Sequence, residues 1–76
     1  MLEIGEKIKR RRVSLGLTQE ELAARVELSK GFISQVERDL TSPSIATLTD
    51  ILEALGMSLA DFFSQEDTNE KVVFGA

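Results

Sequence analysis

Apolar residues recur at helical spacing along almost the whole chain, and turn signals break the pattern at regular intervals. Leu2, Ile4, Ile8 and Leu15, joined by Val13, predict a first helix over 2–15 that stops near Gly16. Thr18 opens a second helix. Glu21 follows three residues later, the spacing at which a Thr hydroxyl and a Glu carboxylate close two orphan amides reciprocally. Leu22, Ala23 and Val26 form its apolar stripe. After a break at Glu27 and Leu28, Ser29 is a good N-cap for a third helix that turns Phe32, Ile33 and Val36 inward. Residues 39–44 read as a loop, with Pro43 just before or at the start of a fourth helix. Ile45, Leu48, Ile51, Leu52 and Leu55 share one face of that helix, and Gly56 ends it. Ser58 and Asp61 repeat the capping spacing for a short fifth helix that holds Phe62 and Phe63. Residues 64–70 are polar and read as a linker, and the chain closes on Lys71, Val72, Val73, Phe74, Gly75 and Ala76, a strand-like scrap. The expectation is an all-α domain of five helices over 1–63, followed by a polar linker or tail over 64–76.

Composition narrows what such a domain can do. Its 76 residues are 42 % apolar and 29 % charged with a single proline, which fits one small folded domain. A core this size leaves stability modest, so pairing with a second copy would help. The chain has no Cys and no His, which removes zinc fingers, disulfides, thiol nucleophiles and imidazole acid–base chemistry. An enzyme is not expected, nor a metal or cofactor. No apolar stretch reaches membrane-span length, and the N-terminus lacks the layout of a signal peptide. The expected location is cytoplasmic. The net charge of −4 hides an asymmetry: residues 1–40 balance to +1, whereas residues 41–76 balance to −5. Lys7, Lys9, Arg10, Arg11 and Arg12 fall within six positions with no acid among them. That run reads either as a solvated helix face or as a local basic patch that steers a polyanion.

The second and third helices are joined by only two or three residues, so they must cross steeply and cannot lie antiparallel. Ala23 is small where they meet, and Leu22, Val26, Ile33 and Val36 supply a shared core. That is the helix-turn-helix arrangement, whose second helix enters a DNA major groove by its N-terminal turn. Caps and apolar stripes are also common to any small helical bundle.

Longer motifs discriminate further. Ile4, Gly5, Ile8 and Arg12 are followed by Gly16, Leu17, Thr18, Gln19, Leu22 and Ala23, then by Leu28, Ser29, Ile33, Ser34, Glu37 and Arg38. Pro43, Ser44, Thr47, Leu48, Ala54, Leu55, Gly56, Leu59, Phe62 and Phe63 continue the series. Over residues 4–63 this order resembles the lambda-repressor-like, Cro/CI-type (XRE) transcriptional regulators. The stretch from Ser29 to Leu48 is most similar to the subgroup in which this domain precedes a small-molecule-binding cupin barrel, with stand-alone dimeric regulators as the alternative. The resemblance implies a sequence-specific regulator that binds a palindromic operator in double-stranded DNA as a homodimer, with helix 29–38 in the major groove. Any effector domain or small-molecule ligand would be absent from this chain.

The resemblance also implies roles. Lys30, Gly31, Ser34 and Gln35 would face base edges, where Lys suits guanine O6/N7 and Gln suits adenine N6/N7. Gly31 would permit close backbone approach, and Phe32 would touch a thymine methyl or belong to the core. Thr18 and Gln19 would hold a phosphate at a helix N-terminus, Thr18 acting also as a cap. Arg38, Thr41 and Ser42 would contact the sugar–phosphate backbone, with Lys9 and Arg10 as further candidates. Arg12 would pair with Glu37 to orient the third helix. Glu27 and Asp39 stand where the family usually has glycine, so both are expected in left-handed backbone. Helix five and the Leu55–Phe63 region would supply the dimer surface through Met57, Leu59, Phe62 and Phe63, with at least one of the two phenylalanines closing the core instead. The rival reading is a protein-interaction module, an antitoxin or antagonist, using the acidic C-terminal half.

Overall fold

The computed structural model describes residues 4–64. Five helices follow in order: α1 (Ile4–Ser14), α2 (Gln19–Val26), α3 (Lys30–Glu37), α4 (Ile45–Ala54) and α5 (residues 59–64). There is no strand among the described residues. Leu2 and the segment from residue 65 onward lie outside them. The linker expected from residue 64 starts no earlier than 65, because Ser64 is helical and its hydroxyl donates back to the Ala60 carbonyl at 2.6 Å.

The helix starts marked at Thr18, Ser29 and Ser58 are capped by those residues, and α4 is capped by Ser44, the residue after Pro43. Thr18 Oγ1 accepts from the Glu21 N–H at 3.0 Å while Glu21 Oε1 accepts from the Thr18 N–H at 2.8 Å. Ser29 Oγ accepts from the Phe32 N–H, and Ser44 Oγ from the Thr47 N–H. Ser58 and Asp61 repeat the reciprocal arrangement at 3.0 and 3.3 Å. The helix ends share one device as well. After each of α1 to α4 a residue takes left-handed backbone: Gly16, Glu27, Asp39 and Gly56, with φ of 73°, 59°, 58° and 74°. In each case the next N–H reaches five residues back, Leu17 to Arg12, Leu28 to Ala23, Leu40 to Gln35 and Met57 to Leu52. These are Schellman turns, which satisfy the last carbonyls and turn the chain sharply.

The core is formed by Ile8, Leu22, Ala23, Ile33, Val36, Leu48, Ile51, Leu52, Leu55, Met57 and Phe62. α2 packs on both α3 and α4, and α1 packs on α3. Three apolar residues of the expected helical stripes are not in that core. Leu15 is 45 % exposed, because α1 ends at Ser14 and the turn at Gly16 carries the chain away before it. Half-buried Leu17 packs on the core there. Ile45 is 66 % exposed, because the first turn of α4 projects past the core that Leu48 and Ile51 enter. Val13 is exposed too. Of the apolar residues expected at the pairing surface, one phenylalanine closes the core as anticipated, and Met57 joins it there. Met57 and Phe62 are buried within the protomer, leaving Leu59 and Phe63 half-buried.

Candidate nucleic-acid interface

Three residues separate α2 from α3, and each has its own task. Glu27 reverses the chain in left-handed backbone, Leu28 packs on the core and closes the α2 turn, and Ser29 caps α3. The short connection fixes α3 against α2 by Ile33 and Val36 on one side. On the other side, Lys30, Gly31 and Gln35 are exposed, with Ser34 half-buried between them. The side chains of Lys30, Gln35 and Arg38 make no hydrogen bond or ion pair with another of the described residues. They are exposed donors on and just beyond a helix whose inward face is fully engaged. Phe32 is half-buried and packs against the core.

That inward face includes a buried ionic cluster. Arg12 Nε and Nη2 donate to the two carboxylate oxygens of Glu37 at 2.6 and 3.0 Å, and Arg12 Nη1 donates to the Leu17 carbonyl at 2.7 Å. The side chains are 10 % and 2 % exposed. A planar guanidinium matches a carboxylate in this two-bond geometry, so the pair fixes direction as well as distance. Gln19 Nε2 also donates to Glu37 Oε1, at 3.0 Å. Nothing in the spacing of the sequence announces this third bond, since Gln19 and Glu37 are brought together only by the crossing of α2 and α3. It places the N-terminus of α2 beside the C-terminal end of α3.

The phosphate candidates therefore sit differently from one another. Thr18 uses its N–H and a hydroxyl lone pair in the capping box, which leaves the hydroxyl hydrogen for an outside acceptor. Gln19 has one N–H of its carboxamide committed to Glu37, and the second is held in a fixed direction by that bond. Arg38 is exposed at the α3 terminus, with Thr41 half-buried and Ser42 exposed in the loop beyond.

The basic run on α1 is not one patch. Five cations in six helical positions radiate around the axis, and most are taken up internally. Lys7 Nζ donates to the Phe62 carbonyl and lies 4.5 Å from the centre of its ring. Arg11 Nε donates to the Leu55 carbonyl at 2.9 Å, capping the end of α4, and Arg12 is buried. Arg10 makes an exposed pair with Glu6 at 3.3 Å, which leaves Lys9 as an exposed cation of the run. A second unannounced contact is that of Asp39, whose Oδ1 accepts from the Gly5 N–H at 3.1 Å. Asp39 thus closes α3 with its backbone and the start of α1 with its side chain.

No helix among the described residues is long and apolar enough to cross a membrane. A family model described as helix-turn-helix matches residues 8–62. The chain is 34 % identical over 65 residues to the immunity repressor protein of Bacillus phage phi105, covering 86 % of this chain and 45 % of that protein. It is 36 % identical over 63 residues to the HTH-type transcriptional regulator PuuR of Escherichia coli, covering 83 % of this chain and 34 % of the regulator. The chain thus spans less than half the length of these two curated relatives. Among solved structures it is similar to the restriction-modification controller protein C.Esp1396I, crystallised as a tetramer in complex with its natural 35-base-pair operator. The TM-score is 0.76 at 33 % identity, over 83 % of each chain.

Proposed function

The chain belongs to the helix-turn-helix family, of the lambda-repressor-like, Cro/CI type, and from that membership we propose that it regulates transcription by binding an operator sequence with α3 in the major groove. The observation that carries this reading is the division of α3 into two faces. Its inner side is immobilised by Ile33, Val36 and the bidentate Arg12–Glu37 pair, while Lys30 and Gln35 project from the outer side with no engagement of their own. A rigid helix with unengaged donors is what direct readout needs, because base discrimination requires donors held to within a fraction of an ångström. Lys30, Gly31, Ser34 and Gln35 read base edges. Gln19, through its second N–H, and Thr18 hold a phosphate on one flank, and Arg38, Thr41 and Ser42 hold the backbone on the other. The protein acts by occupancy, without bond-making chemistry, in the prokaryotic cytoplasm where the DNA lies.

Two copies bind a palindromic site, their recognition helices about one helical turn, roughly 34 Å, apart. Leu59 and Phe63 on α5 are the apolar residues left over for the contact between copies. The net charge of −4 keeps non-specific binding weak, since attraction comes only from local cations. Selection of bound duplexes from a random pool tests the reading. The expected outcome is an enriched palindrome whose half-sites lie about 10 base pairs apart, centre to centre. A pool that stays random defeats it. That result would favour the protein-interaction alternative, for which Glu27, Asp50 and Glu53 line an open groove beside Arg25.

A further inference from the structure

The described glycines divide into those the fold explains and one that it does not. Gly16 and Gly56 occupy left-handed turns. Gly5 lies where an added Cβ would come within 2.6 Å of the Glu37 carbonyl oxygen. Gly31 meets neither condition. It lies inside α3 in ordinary helical backbone, it is exposed, and a Cβ there would find nothing nearer than Ser29 Oγ at 4.0 Å. Alanine would fit without displacing an atom. It would also favour the helix, because glycine loses more backbone freedom on entering one. α3 has only eight residues, so a weak helix former matters to it. The missing methyl is therefore noticed only from outside the protein.

Its position says by what. Gly31 follows Lys30 and lies one turn before Ser34 and Gln35, on the outward face. A helix with its side chains is about 10–12 Å across, and the major groove of B-DNA is about 12 Å wide. A helix entering that groove has almost no spare width, so one methyl group in its first turn decides how closely the backbone approaches. We propose that Gly31 is a specificity-determining position, where the absent side chain lets the first turn of α3 close on a single base pair of each half-site. The inference rests on the DNA-binding reading above. It adds that one position of the operator is chosen by shape, through a residue with no side chain to donate or accept.

The test compares the unaltered chain with Gly31→Ala in thermal unfolding and in duplex selection from a random pool. Gly31→Ala is expected to raise Tm by roughly 2–5 °C, the direction that helix propensity dictates. It is expected to lower affinity for the original site about tenfold or more, and to change the preferred base at one position per half-site. Unchanged affinity and unchanged preference would overturn the proposal. So would an equal loss on every sequence, which would mean approach to phosphates, and so would a fall in Tm, which would mean that the fold requires the glycine. Failure of the underlying reading is separately visible, because the unaltered chain would then select no sequence at all.

Discussion

At the scale of single residues, the cluster around Glu37 carries the largest energies. A carboxylate that is 2 % exposed has lost most of its water, and three hydrogen bonds from Arg12 and Gln19 replace it. Removing one partner of such a pair strands the other charge, which typically costs 3–5 kcal/mol. A domain of this size has a total stability of only about 4–11 kcal/mol. Arg12→Ala and Glu37→Ala should each bring it close to unfolding at room temperature, as read by urea denaturation. The double variant should be no worse than the poorer single, and additive losses would argue that the pair contributes nothing as a pair. The two left-handed acids allow a finer comparison. Glu27 makes no side-chain bond among the described residues, so Glu27→Gly should stabilise by up to about 1 kcal/mol. Asp39 has nearly the same φ, but its carboxylate holds the Gly5 N–H. Asp39→Gly should therefore gain nothing or lose stability, because the relieved strain is offset by an uncapped amide. Equal gains at both positions in thermal melts would contradict that account of Asp39.

At the scale of elements, the fold is a set of short helices joined by tight turns, and its geometry is fixed where helix ends touch. α1 meets the end of α3 at Gly5, whose missing side chain is filled by the carbonyl oxygens of Val36 and Glu37. Those are backbone atoms of the recognition helix, so they cannot rotate aside as a flexible side chain would. Gly5→Ala must push α1 and α3 apart. The expected cost is about 1–3 kcal/mol, the usual range for an overpacked core. The same shift would stretch the Arg12–Glu37 bonds and tilt α3, so operator affinity should fall even at temperatures where the variant is fully folded. Retained affinity in a folded Gly5→Ala variant, measured by fluorescence anisotropy, would show that the seating of α1 does not set the angle of α3.

At the scale of the whole molecule, an acidic chain has to attract a polyanion with a few placed cations. Arg38 stands at the end of α3 and Lys30 at its start, whereas Lys7, Arg11 and Arg12 serve the interior. Phosphate contacts add affinity without reading sequence, and each neutralised phosphate contributes a salt slope of about −0.9. Arg38→Ala should therefore weaken binding to all duplexes alike and flatten the salt dependence by about one unit per half-site. Gln35→Ala should behave oppositely. It should lose about 1–3 kcal/mol on the preferred site only, and relax preference at one base position. A uniform loss for Gln35→Ala across cognate and random DNA would remove α3 as the reader.

The sequence alone determined whatever depends on neighbours along the chain. The capping boxes at Thr18 and Ser58, the N-cap at Ser29 and the helix stops at Gly16 and Gly56 are all events within one or two helical turns, so residue spacing reports them directly. The left-handed backbone at Glu27 and Asp39 was legible only through the family resemblance, and the Ser44 cap only in the structure. The family was legible too, but through the resemblance carried by the residue motifs over 4–63 and not through caps and turns, which any small helical bundle shares. Tertiary structure decided what depends on which surfaces face each other. It buried Met57 and Phe62 and exposed Leu15 and Ile45, because a helical stripe shows only that a face is apolar and not how far the neighbouring element extends over it. It drew Lys7 and Arg11 from an apparent basic patch to the carbonyls of Phe62 and Leu55, because partners 55 and 44 residues away leave no trace in local spacing. It tied Gln19 to Glu37 and Asp39 to Gly5 for the same reason. A pattern along the chain records what each residue prefers, and only packing settles which of those preferences are met together.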